Sequence, residues 1–412
     1  MEKIVTSGIG IFLSLFVLGN VCLAEKLEIG GSISHSLFYL LKEGELSQNV
    51  TQYKLFLEKD FRMNRGKMHL SFKGCYDSIK EKNIIPIELD EAYADLYFKN
   101  TDLRVGQQVV SWGTAYAINP TNYINPREFS LTETEFKGKP LACLRAANYS
   151  KAVDITGVVV FDYQPQEIPK ELEMGLRQVI PGFDKFPEPQ EIENTLKNME
   201  FALRAEKTVN NWDVKLICFH GWEDYPALWI EGFPPHCNAK SQYQRVNKVG
   251  LATAGSFKNI GLWSELAYVM PEKIKKMDLA STFFSMNKPY LQTVLGADYT
   301  FGDIYIQGQY IYYGNGSLIS PYTQHQFSEK VAGGNYIMTQ FSYRTNRIQS
   351  LNLGGLINLN DSSYVLIPQY TRPLSEVTKL SLRGILFFGN EDTEFGRLKD
   401  KESVSLGIEV SF

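Results

Sequence analysis

The sequence predicts an all-β chain closed into a transmembrane, antiparallel up-and-down barrel of about eighteen strands, with sixteen the alternative count. Three observations predict it. Segment after segment alternates apolar and polar residues with period two, as a wall with one greasy and one wet face requires. No apolar run after residue 24 is long enough for a membrane-spanning helix, so any span is made of strands. The connections alternate between short turns and long loops, a segregation that a soluble sandwich has no reason to adopt.

The chain opens with Lys3, an apolar run from Ile4 to Leu18, and Cys22-Leu23-Ala24 with small residues where a signal peptidase reads. Residues 1–24 are therefore expected to be a cleaved secretory signal, leaving one barrel domain over 25–412. The run is short for a membrane anchor of ~20 residues. Gly19-Asn20-Val21 does not make the lipobox that lipidation of Cys22 requires.

Strand-like runs follow near 26–40, 51–62, 66–77, 88–99, 102–112, 140–149, 152–163, 198–207 and 211–222. Nine more lie near 244–257, 259–270, 288–301, 302–314, 332–345, 348–359, 362–372, 376–389 and 402–412. Turns such as Asn64-Arg65-Gly66, Asn210-Asn211 and Gly302-Asp303 join them on one rim. Long connections, notably 113–139, 164–197, 223–243, 271–287, 315–331 and 390–401, join them on the other, where only Asn358 to Asp361 looks short. In such a barrel the short turns face the periplasm. Loop 164–197 is acidic and Pro-rich, with a helical pattern from Lys170 to Gln178 that suits a lid or a cover for the mouth.

The faces agree. Leu380, Leu382, Leu386 and Phe388 oppose Lys379, Ser381 and Arg383, and Ile304, Ile306, Tyr310 and Tyr312 oppose Asp303, Tyr305, Gln307 and Gln309. A charge facing hydrocarbon costs ~2–4 kcal/mol at the midplane, so the charged face is the lumen. The expected lining is Arg104, Arg145, Arg204, Arg344, Lys379 and Arg383, opposed by Glu91, Asp95, Asp154, Glu200, Glu265 and Asp298. Tyr53, Trp212, Tyr268, Tyr299, Tyr312 and Tyr364 are expected in interfacial girdles. The last strand, Ser403 to Phe412, alternates without a break and resembles the terminal signal of bacterial outer-membrane barrels.

Composition excludes other classes. A net charge of −4 gives no reason to expect nucleic acid. There is no G-x-S-x-G, H-E-x-x-H, P-loop or dinucleotide fingerprint, so no enzyme and no cofactor are expected. His220, Glu223, Asp224, His236 and Cys237 fall near one loop, but their irregular spacing assigns no metal. Whether Cys218 pairs with Cys237 is left open.

Residues 103–126 read L-R-V-G-Q-Q-V-V-S-W-G-T-A-Y-A-I-N-P-T-N-Y-I-N-P. The core from Val105 to Gly113, followed by Ile118-Asn119-Pro120, resembles a large group of poorly characterised bacterial outer-membrane proteins, similar in style to alginate-export barrels and general porins. Gly106, Gln108, Trp112, Gly113, Asn119 and Pro120 carry the motif; Gln107 stands where a basic residue is expected. The resemblance implies a porin-like channel in the bacterial outer membrane and does not bring a substrate with it.

Gln107 and Gln108 cannot both satisfy the alternation, which predicts a bulge at Gly106. Trp112-Gly113 is expected at the outer rim, and Asn119-Pro120 and Asn125-Pro126 as consecutive turns. The next residues, with Arg127, Glu128, Glu133, Glu135 and Lys137, are expected to fold into the lumen as part of a constriction, against a solvated surface loop as the alternative.

The function expected is passive diffusion of small hydrophilic solutes. The alternative is a conduit for lipid or hydrophobic compounds working with a periplasmic partner, suggested by Val158, Val160, Ile217 and Phe219 at inward positions; an outer-membrane enzyme or adhesin ranks third. Expected partners are outer-membrane lipid, small solutes and the barrel-assembly machinery acting on the strand that ends in Phe412. A homo-oligomer is left open.

Overall fold

A computed structural model describes residues 27–61, 65–79, 87–126, 138–166, 187–231, 238–274, 282–283, 288–318, 333–345 and 349–412. The first strands are β1 (Leu27–Leu40), β2 (Glu45–Asp60), β3 (Gly66–Asp77), β4 (Ile87–Tyr97), β5 (Thr101–Gln108), β6 (Leu141–Asn148) and β7 (Asp154–Val160). Then come β8 (Glu200–Val209), β9 (Trp212–Trp222), β10 (Ala227–Glu231), β11 (Asn238–Gln242), β12 (Arg245–Phe257), β13 (Ile260–Pro271) and β14 (Thr282–Phe283). The series ends with β15 (Tyr290–Phe301), β16 (Ile304–Tyr313), β17 (Gly334–Thr345), β18 (Gln349–Asn358), β19 (Tyr364–Pro373), β20 (Thr378–Phe388) and β21 (Ser403–Ser411).

Eighteen of these form one closed sheet. Each strand pairs antiparallel with its sequence neighbour, β9 pairs with β12, β13 pairs with β15, and β21 returns to β1 from Ser32↔Ser411 to Leu40↔Ser403. Closure leaves no row of unpaired backbone groups at an edge, which a lipid environment demands. The remaining three, in the order β11-β10-β14, make a small separate sheet on the long-loop rim.

Period-two alternation divides the wall into two faces. Outward, Leu203, Leu216, Leu251, Leu266, Leu295, Ile306, Phe341, Leu353, Leu382 and Leu406 stand exposed, and Leu216, Leu251 and Leu266 are successive register partners across β9, β12 and β13. A continuous exposed apolar belt is unfavourable in water and favourable in hydrocarbon. The fold is that of an outer-membrane barrel.

The small sheet falls within 223–243 and 271–287, which the sequence reads as loops, and two wall strands also differ from expectation. β2 begins at Glu45, so the connection from β1 is the four-residue turn 41–44 and is a second short outer loop. Tyr53 consequently sits mid-strand opposite Ile33, not in a girdle. Ser47 and Gln48 read as loop because they are polar, but polar residues are tolerated wherever a strand borders a wet lumen or rim. β5 stops at Gln108 instead of continuing to Trp112, because the chain there leaves the wall for the barrel interior.

Candidate functional site

The departure from the wall is built into Gly106. Its φ is +133°, and a Cβ there would lie 2.1 Å from the Ala92 carbonyl oxygen, so the position accepts only glycine. The register with β4 nevertheless runs through it without a shift; the one irregularity nearby lies between Leu70 and Phe72 in the β3–β4 pair. Gln108 is fully buried, and its Nε2 donates to the Cys143 carbonyl at 3.1 Å, while Gln107 donates to the Asp90 carbonyl at 2.9 Å.

Residues 109–126 then run through the interior. Side chains near the wall take up their backbone groups: Glu91 Oε1 accepts the Val109 N–H at 2.8 Å, and Asn125 Oδ1 accepts the Val110 N–H at 2.7 Å. Asn122 N–H donates to the Asn119 carbonyl at 3.2 Å, closing the turn at Pro120. The far side is held by Glu265 on β13, which is 1% exposed. Its Oε1 accepts from Thr114 N–H, Thr114 Oγ1 (3.1 Å) and Ala115 N–H (2.7 Å), and its Oε2 from Thr121 N–H (2.9 Å) and Thr121 Oγ1 (2.8 Å). Gln309 on β16 donates to the Tyr116 carbonyl at 2.8 Å. A buried carboxylate needs such a set of donors to hold its charge away from water.

β5 and β16 lie eight strands apart in a ring of eighteen, close to diametrically opposed. A segment bonded to both walls spans a chord of the lumen. Val110, Trp112, Tyr123 and Ile124 pack with Leu141, Cys143, Val158, Val160, Ala202, Ile217, Phe219 and Val246 on the inner wall, filling the space on that side. Gly250 on β12 makes room, since a Cβ there would lie 2.5 Å from the Tyr123 hydroxyl. Burial raises the Tyr123 phenol well above its ordinary pKa, with Glu265 adding to the shift, so it stays neutral.

Trp112 is therefore an interior anchor, 2% exposed and with the Arg204 guanidinium 5.3 Å from its ring centre; it does not mark the outer rim. The motif's apolar residues need a covered surface, and the nearest one is the inner wall. Arg127, Glu128, Glu133, Glu135 and Lys137, and the helical pattern from Lys170 to Gln178, lie outside the described residues.

The long-loop mouth is narrowed from a second direction. The connection 389–402 turns inward, placing Phe395 in a buried cluster with Ile118, Val294, Ile311, Tyr336, Val365, Ile385 and Phe387. Glu394 secures it by accepting from Tyr336 (2.7 Å), Asn358 (2.6 Å) and Ser317.

Charged pairs line other parts of the inner wall. Arg104 makes a bidentate pair with Asp95 at 2.7 and 2.8 Å and stacks 3.9 Å above the Tyr93 ring. Arg104 is the register partner of Arg145, and Arg204 stands two strands on, opposite Thr156 and 3.2 Å from Glu206. Lys67 and His69 bracket Glu58, Lys73 pairs with Asp90 at 3.2 Å, and Lys379 pairs with Glu409 at 3.1 Å.

The alternation puts all twelve candidate lining residues on the inward face, but not in one place. Glu91, Asp95, Arg104, Arg145 and Arg204 share one arc of wall. Arg383 and Lys379 lie across the barrel on β20, while Asp154, Asp298 and Arg344 sit toward the short-turn rim, where Asp154 accepts the Ser150 N–H at 2.8 Å. Glu265 and Glu200 are buried and act structurally, Glu200 accepting the Trp222 N–H at 2.9 Å. Sequence reasoning missed Glu58, Lys67, His69, Lys73 and Tyr93, whose inward parity on β2–β4 was the available signal, and Asp90, which the irregularity opposite Leu70 and Phe72 brings to Lys73 beside the inward Glu91. It also missed the pair of Lys248 with Glu223 at 3.0 Å, which Tyr290 joins at 3.1 Å.

No protein-family model matches the chain, and no curated protein is similar to it. Among solved structures it is similar to Pseudomonas aeruginosa OccD3 (OpdP), with a TM-score of 0.56 at 8% identity over 95% of this chain and 91% of that one. It is also similar to P. aeruginosa OccK9 (OpdG), at 0.55 and 11% over 94% and 98%, and to the P. aeruginosa outer-membrane protein OpdK, at 0.54 and 8% over 94% and 99%. At these identities the likeness is one of fold: a closed, porin-like outer-membrane barrel.

Proposed function

We propose that this protein is a porin-like channel of the bacterial outer membrane through which small hydrophilic solutes diffuse, with residues 109–126 as its constriction. The observation that carries the reading is the chord itself. A segment tied to β4, β13 and β16 crosses the lumen; apolar side chains pack it at β6–β13 and, around Ile118, at β15–β20, while Glu58, Lys67, Arg104, Arg145 and Arg204 on β2, β3, β5, β6 and β8 present a polar wall. The polar side is where a hydrated solute exchanges water for protein hydrogen bonds. Opposed charges there set up a transverse field that admits solutes able to replace ordered water. The grouping of Arg104, Arg145 and Arg204 favours carboxylated solutes over cations. The style of the motif also supports a relationship to alginate-export-type barrels within this reading.

Val158, Val160, Ile217 and Phe219, the residues that suggest a conduit for hydrophobic compounds, are buried against the segment. They therefore line no path, and the hydrophilic reading is preferred. Swelling of liposomes containing the purified barrel tests it. Small sugars and carboxylates should enter, and Arg145→Gln should slow carboxylates several-fold while leaving neutral sugars unchanged. Failure of every hydrophilic solute to enter would overturn the reading.

A further inference from the structure

The outer wall carries a feature that the lumen does not use. Across β6 to β12 one outward row reads Ala146, Gly157, Leu203, Cys218, Val249 as successive register partners, and the row toward the long-loop rim reads Leu144, Val159, Phe201, His220, Asn247. Small residues in the first row leave a cleft of about 520 Å³ walled by the larger ones. Gly157 is the floor: a Cβ there would meet nothing within 4 Å.

The upper end is polar. His220 Nδ1 lies 2.9 Å from Asn247 Oδ1, on a face that otherwise meets hydrocarbon. One pair further toward the rim is Arg245, opposite Trp222, with its guanidinium 4.2 Å from the indole centre. Arg245 donates to the Met199 carbonyl at 3.1 Å and the Lys197 carbonyl at 2.5 Å; among the described residues neither Arg245 nor Lys197 forms an ion pair. Apolar cleft, polar pair, Trp and the Arg245 cation, which Glu200 and Glu272 attract without forming an ion pair, follow one another in the order of a lipid's own parts from chain to head.

We propose that this cleft binds one acyl chain of a membrane lipid, with its ester region at His220 and Asn247 and its phosphorylated head at Arg245 and Lys197. The proposal needs the barrel to stand in a bilayer and is independent of whether the lumen conducts. His220 and Asn247 satisfy one another at one atom each, and their remaining polar atoms are costly in hydrocarbon unless a lipid seated in the cleft supplies partners. The charge at the rim selects an anionic head over a zwitterionic one.

Native mass spectrometry of the full-length barrel in mild detergent, titrated with phosphatidylglycerol or phosphatidylcholine, tests this. Wild type should retain one phosphatidylglycerol in preference to phosphatidylcholine. Gly157→Leu, whose Cβ would meet no other atom within 4 Å, fills the floor and should weaken retention at least tenfold. Gly308→Leu is the control, because Gly308 is also outward and also open, and it should leave retention unchanged. Arg245→Gln should abolish the preference for the anionic head. Equal retention by the Gly157 and Gly308 variants would overturn the proposal, as would a preference that survives Arg245→Gln. A dimer mass that Gly157→Leu abolishes would overturn it in favour of a second copy of the chain in the cleft.

Discussion

Glu265, expected from the sequence as one of a dozen lining charges, instead fixes where the interior segment lies. Replacing it by Ala leaves the N–H groups of Thr114, Ala115 and Thr121 without their acceptor, at about 1–3 kcal/mol for each that water fails to satisfy. Glu265→Gln keeps the shape but turns one acceptor oxygen into a donor facing other donors, so it should also loosen the segment, to a smaller degree. Protection of the Thr114 and Thr121 amides in hydrogen exchange should fall in the order wild type, Gln, Ala. Gly106→Ala should be worse than an ordinary strand glycine replacement, because positive φ and a 2.1 Å approach to Ala92 oppose it together; a lower midpoint in urea unfolding, with reduced folded yield on a heat-modifiability gel, is the expected result. The parity of Arg104 and Asp95 was legible in the sequence because they sit nine residues apart around one turn. The tie from Glu265 to Thr114 was not: 151 residues separate them, and neither residue type announces the other.

The interior segment and the 389–402 connection show how loops become part of a barrel's inside. Each carries an apolar anchor, Trp112 and Phe395, and each is held by a carboxylate that gathers donors, Glu265 on β13 for the first and Glu394 within the connection itself for the second. Asp361, on the outer turn between β18 and β19, accepts from the Glu394 N–H at 2.7 Å and from the Ser363 N–H and hydroxyl at 2.9 and 2.6 Å. Burial raises its pKa, but these donors outweigh that and hold it below its ordinary 3.8. A depressed carboxylate stabilises the docked loop fully above its undocked pKa and loses that contribution as pH falls through the docked value. Proteolysis within 389–402 should therefore accelerate as pH drops below about 4, and Asp361→Asn should flatten that dependence. The extents of these elements were only partly readable. Alternation located the strands, but Ser47 and Gln48 looked like loop and Val109 to Trp112 looked like strand, since polarity and apolar content do not say which surface a residue meets.

At the scale of the whole molecule, the count of eighteen and the all-antiparallel closure follow from local rules that the sequence carries in full: period two, turn residues, and a final strand able to pair with the first. What fills the barrel depends on contacts between distant strands, which local patterns do not encode. The outer belt makes its own prediction. Leu216→Arg, at mid-height of β9 and facing outward, should cost ~2–4 kcal/mol in a bilayer, read as a lower urea midpoint in lipid vesicles. The same change in the 374–377 turn, at Val377, should cost far less, because water reaches that rim. In the proposed channel, residues 109–126, held by Glu265, set the width of a water-filled path. Single-channel conductance in a planar bilayer, wild type against Glu265→Ala, tests it most directly. Wild type should show a stable conductance that becomes larger and noisier in the variant. Identical conductance in both would contradict the segment's role, and a silent wild type beside a conducting variant would mean that the segment closes the barrel instead of shaping its channel.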